Sequence, residues 1–150
     1  MSAIRVALAN QQRTMKVDGS RIKQAARRVL LEMGFVKAEL SLLLVDDEPM
    51  RRLNARYRSI DRPTDVLAFA MFEGPFSEVN PHFLGDVVIS TETALAHARK
   101  VSRHVNTELH ALLVHGILHL IGYDHERSSA DARVMREKER RLLRILSVSE

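Results

Sequence analysis

Apolar positions along the chain change period several times, and each change marks a new element. Residues 4–9, IRVALA, predict a strand. Beyond it the spacing becomes helical: Ile22, Ala25, Ala26, Val29, Leu30 and Met33 recur three and four apart, with Asp18 or Ser20 to cap the start and Gly34 the end. AELSLLLV, residues 38–45, predicts a second strand. The next stretch, DDEPMRRLNARYR, opens on acidic residues and a proline and closes on arginines, the order that complements a helix dipole. SIDRPTD is a loop, DVLAFAM (65–71) a strand, and FEGPFSEVNPHF, with Gly74, Pro75 and Pro81, an irregular surface loop. GDVVIST (85–91) predicts a buried strand and ETALAHARKVS a helix. From about Asn106 to Ile121 the apolar residues run almost all round a helix, which marks it as buried. SSADARVMREKERRLLRIL forms the last helix.

There is no repeat, low-complexity tract or linker, and 150 residues suffice for one substantial core. The expectation is a single α+β domain, a small mixed sheet surrounded by helices. No segment reaches the roughly 18 uninterrupted apolar residues of a membrane span, and the first residues lack the apolar run of a signal peptide, so a cytoplasmic protein is expected.

With no cysteine in the sequence, any metal must be held by His, Asp, Glu or backbone oxygen. The net charge of +4 mildly favours a polyanionic partner. Arg51, Arg52, Arg56, Arg58 and Arg62 crowd one short stretch. The C-terminal helix is also rich in Arg and Lys but carries Asp131, Glu137 and Glu139 among them, and reads as a solvated face.

The stretch HGILHLIGYDH, residues 115–125, holds the candidate chemistry. At about 100° per residue, His115 and His119 lie about 40° apart on one helix face, a turn apart along the axis. Gly122 is a natural helix stop, since glycine tolerates the left-handed conformation, and the returning chain can present His125 as a third ligand. Three nitrogen donors leave a fourth position for water, as in a catalytic zinc site. Burying two imidazoles in an apolar helix without partners is costly, and a shared metal removes that cost. The remaining histidines, His82, His97, His104 and His110, do not share this geometry and read as ordinary surface or core residues. Asp86 and Asp124 are candidates to hold the ligating imidazoles from behind, with turn chemistry as the alternative for each. Arg58, the last basic residue before a loop, is placed to grip a phosphate bidentately or to complement a helix C-terminus.

HGILHLIGYDHE, LNARYRSIDRPTDVLAFAM and LGDVVIS, in that order, resemble the YbeY family of bacterial endoribonucleases over nearly the whole chain. The resemblance implies a zinc-dependent, single-strand-specific endoribonuclease. Its expected work is small-subunit (16S) ribosomal RNA maturation and ribosome quality control, with ribosomal RNA and the ribosome or small-subunit proteins as partners. It implies one Zn2+ per chain on His115, His119 and His125, with Arg58 as the functional arginine. Two positions depart from the family pattern: Ser59, where glycine is common, and Ala70, where proline often follows the phenylalanine.

Metzincin proteases share the histidine spacing but carry a glutamate base directly after the first histidine, where this chain has Gly116. That weighs against a zincin-like peptidase or other small-substrate hydrolase. A ribosome assembly factor with a structural metal is the other alternative. The expectation for Gly116 is that backbone or substrate passes close to it, and that a carboxylate there would repel an incoming phosphate.

Overall fold

The computed structural model of the chain describes residues 3–71, 81–123 and 128–148. In chain order they form β1 (Ala3–Asn10), α1 (Gly19–Glu32), β2 (Lys37–Val45), α2 (Asp47–Arg58), β3 (Val66–Ala70), β4 (Phe83–Ser90), α3 (Thr91–Lys100), α4 (Val105–Leu120) and α5 (Ser129–Val148). Of the two candidate caps of α1, Asp18 is the one used: its side chain accepts from the Arg21 N–H. Residues 72–80, within the expected surface loop, and Asp124 and His125, in the histidine motif, lie outside the described residues.

The strands join in one mixed sheet of order β1-β2-β4-β3. β1, β2 and β4 run parallel, and the short β3 pairs antiparallel to β4 at one edge. Parallel neighbours need a long crossover, which α1 supplies between β1 and β2. The fold is α+β, as the hydrophobic pattern implies.

β2 reads Leu42-Leu43-Leu44-Val45 without alternation because both its faces are covered. Leu40, Leu42 and Leu44 join Val6, Val87 and Ile89 in the main core with α1, α4 and α5. Leu43 and Val45 turn the other way, to a smaller cluster with Leu67, Phe69, Val88 and, from α2, Met50 and Leu53. α2 thus lies on one face of the sheet and α4 on the other. Among the described residues, no helix is long and apolar enough to cross a membrane.

The N-terminus of α2 is tied down by side chains. Asp46, its N-cap residue, does not cap the helix but accepts from the Arg13 N–H at 3.0 Å and the Thr14 hydroxyl at 2.6 Å. Asp47 accepts from the Ser90 hydroxyl at 2.6 Å and from the Thr93 hydroxyl at the start of α3. Of the clustered arginines, Arg51 is held by Glu48 and Asp61, and its hydrogen bond keeps the Glu48 carboxyl below the usual carboxylate range.

β4 starts at Phe83, two residues earlier than the apolar run suggests. Its ladder with β2 continues through an irregularity at Glu39/Leu40, so that Phe83 faces Glu39 and Gly85 faces Leu40. At Gly85 the backbone has φ +137°, and a Cβ there would come within 2.1 Å of the Phe69 carbonyl oxygen on the neighbouring strand. Gly85→Ala should therefore destabilise the protein by at least about 3 kcal/mol, measured by urea unfolding, because both backbone strain and a steric clash oppose it.

Candidate metal centre

α4 is apolar on nearly every side and is enclosed by β3, β4, α1, α3 and α5. Its depth makes its polar residues informative. His104 caps the N-terminus, its Nδ1 accepting from the Asn106 N–H at 3.1 Å. Glu108, 4% exposed, is matched by His97 at 2.8 Å and Arg103 at 3.3 Å, which pins the corner between α3 and α4. His97 and His104 are thus structural, as their sequence positions suggest.

His115 and His119 stand together on one side of α4, both half-buried, with ring centroids 4.7 Å apart and the rings edge-on at 71°. The helix ends where glycine was expected to stop it. Gly122 has φ +105°, its N–H donates to His119 O at 3.2 Å, and the Tyr123 N–H donates to Leu118 O at 3.0 Å. These are the paired hydrogen bonds of a Schellman motif, which turn the chain out of the helix just before residue 125.

Behind His115 stands a residue that sequence reasoning assigned to a solvated face. Glu139 of α5 places Oε2 3.4 Å from His115 Nδ1. A carboxylate only accepts hydrogen bonds, so the proton belongs on Nδ1 and the ring's lone pair on Nε2, where a ligating imidazole presents it. A signal for Glu139 did exist. α5 buries Met135, Leu142 and Leu146, and residue 139 falls within the same helical stripe, a charge among apolar positions.

Asp86 is not brought to the histidines. In β4 the adjacent Val87 touches α4 at Gly116, so Asp86 points through the opposite face, beside Ser41 and Phe69 on the neighbouring strands. Arg58 ends α2 and is exposed; among the described residues it has no hydrogen-bond or ion-pair partner. Ser59 follows it in the left-handed conformation, φ +60°, where glycine carries less strain, so this departure from the family pattern falls on a position that favours the family's residue.

The described residues contain no cluster of three or more metal-ligating side chains. They do bring together two imidazoles and a supporting carboxylate, a donor set that suits a transition metal such as zinc.

Gly116 has a structural reason. A Cβ there would meet Val87 Cγ1 at 2.7 Å and Val66 Cγ2 at 3.2 Å. Two valine side chains of the sheet make the close approach, where backbone was one of the expected neighbours. The position that holds the base in proteases faces the helix–sheet interface here.

Fold and site define a class: an α+β domain whose buried helix presents an H-x3-H pair and stops on glycine. The chain belongs to the Endoribonuclease YbeY family, whose sequence profile matches residues 7–147. It is 45% identical over 144 residues to the Endoribonuclease YbeY of Geobacter metallireducens, covering 95% of this chain and 96% of that one. Identity to the Geobacter sulfurreducens protein of the same name is 42%, with the same coverage. A Thermotoga maritima protein of known solution structure superposes with a TM-score of 0.63 at 27% identity, covering 95% of this chain and 88% of the other.

Gly116→Ala should cost about 1–3 kcal/mol of stability through overpacking, and Gly116→Glu more, with no peptidase activity gained. Adding Val87→Ala to Gly116→Ala should recover part of the loss. A double variant no more stable than the sum of its parts in thermal unfolding would show that the valine contact is not the constraint.

Proposed function

We propose that the protein is a zinc-dependent, single-strand-specific endoribonuclease of the cytoplasm. On this reading it acts in small-subunit (16S) ribosomal RNA maturation and ribosome quality control, in contact with the ribosome or its small-subunit proteins. Family membership supports the nuclease activity. The observation that carries the metal is the His115–His119 pair on a buried helix, backed by Glu139. His115, His119 and His125 hold one ion per chain, and other divalent transition metals fit the same imidazoles in recombinant protein.

Zinc, when bound, acidifies water and polarises a phosphoryl oxygen. The chain's own residues do the rest. Glu139 fixes the tautomer and direction of His115. Arg58, exposed and without an ion-pair partner among the described residues, grips the phosphate with its two-pronged donor geometry and stabilises the charge that develops there. Position 116 supplies no base because its side of the helix is filled by the sheet. The nucleophile is then water or the neighbouring RNA 2′-hydroxyl. End-group analysis separates them, since water leaves a phosphate monoester and attack by the 2′-hydroxyl leaves a 2′,3′-cyclic phosphate.

Purified protein should carry close to one metal ion per chain by elemental analysis, and His115→Ala or His119→Ala should remove most of it. Arg58→Ala should keep metal and fold while lowering cleavage of single-stranded RNA about ten- to a hundredfold, with Arg58→Lys restoring little. Full metal occupancy without both histidines, or unchanged single-turnover cleavage without Arg58, contradicts these roles.

Glu139→Ala should weaken zinc binding about ten- to a hundredfold in competition with a chelator. Unchanged zinc affinity would remove Glu139 from the site.

A further inference from the structure

α2 covers only part of the sheet face on which it lies. Beside it runs an open groove of about 410 Å³, whose lining includes Ser41, Leu43, Leu53, Tyr57, Phe69 and Asp86. Its size falls within the range of small-ligand sites, and its walls combine apolar surface with a few polar atoms. Tyr57 is 56% exposed and meets Phe69 edge-on, with ring centroids 5.2 Å apart. Arg56 lies over the Tyr57 ring at 5.3 Å. On the floor, Asp86 is paired in register with Ser41 and Phe69, and among the described residues its carboxylate has no hydrogen-bond or ion-pair partner.

We propose that this groove is a subsite for one unpaired nucleobase of the RNA strand, with guanine preferred. This rests on the nuclease reading above. Every base offers a π-face to an exposed aromatic ring, and Tyr57, braced by Phe69, is that ring. Arg56, over the Tyr57 ring, supplies beside the groove the positive charge that a phosphate backbone needs, whereas a groove for an apolar protein segment would have no use for it. The Asp86 carboxylate offers only acceptors. Guanine presents two adjacent donors on its Watson–Crick edge, N1–H and N2–H2, and a carboxylate accepts both. Adenine and cytosine present one donor beside an acceptor, and uracil one donor between two acceptors. β3 is an edge strand, so a run of nucleotides can pass around it from the groove to the histidine face without crossing the sheet interior.

The test is equilibrium binding of the purified protein to labelled 2′-O-methyl oligouridines carrying one central guanosine, adenosine or cytidine, or none. Wild type should favour the guanosine oligomer by about five- to a hundredfold. Tyr57→Ala should weaken all four by about five- to a hundredfold, and Tyr57→Phe should bind like wild type. Asp86→Asn, nearly isosteric and partly exposed, should keep binding but lose the guanosine preference. If wild type binds no oligomer, the nuclease reading itself fails. If wild type binds, but the Asp86→Asn variant keeps the same preference and Tyr57→Ala, or Asp86→Asn alone should Tyr57→Ala not fold, binds as wild type does, only the subsite is overturned and the groove is left to a protein partner.

Discussion

The contact of Gly116 with Val66 and Val87 sets the position of everything else in the site. An α-helix can approach a sheet this closely only where one of its residues has no side chain, and that residue must then face the sheet. Fixing residue 116 fixes the rotation of α4 about its axis. His115 and His119 lie about 100° and 60° from Gly116 to the same side. The glycine therefore sets both imidazoles on one flank of the helix–sheet contact, where Glu139 of α5 meets His115. The same constraint removes the protease base. A carboxylate at 116 would be driven among valines, so the absence of that base follows from how the helix is seated.

The ends of the functional helices are held as firmly as their middles. α4 starts on the His104 cap and the buried Glu108 cluster, and ends on the Schellman turn at Gly122. A helix fixed at both ends and pressed on the sheet holds two imidazoles at a constant separation, which a metal site requires. α2 is anchored at its N-terminus by Asp46 and Asp47, and its C-terminus breaks off through the left-handed Ser59. Arg58 is thus carried on an anchored helix, yet among the described residues its guanidinium is not spent on an ion pair, as that of Arg51 is.

Much of this was legible in the sequence because hydrophobic period reports local geometry. The strands, the helices and the stop at Gly122 all follow from spacing and turn chemistry, and the imidazole pair follows from the helical repeat. What depended on tertiary placement did not follow. Asp86 stands next to Gly85 in sequence, but adjacent strand residues face opposite ways, and the strand's outward side could not be told without knowing where α4 lies. Gly116 showed only that something comes close; that it is Val66 and Val87 depends on a helix–sheet contact distant in sequence. Glu139 was hidden among the many charges of α5, and only its place in the stripe of Met135, Leu142 and Leu146 marks it. The start of β4 shifted because an irregular ladder does not show in a hydrophobic pattern.

In the proposed function this helix holds a metal ion through imidazole nitrogens. Zinc-edge X-ray absorption on the purified, zinc-loaded protein tests it most directly. The expected result is an inner shell of imidazole nitrogens at about 2.0–2.1 Å, three per zinc, with the outer-shell scattering that imidazole rings produce. A zinc shell of oxygen alone, without imidazole scattering, would contradict it.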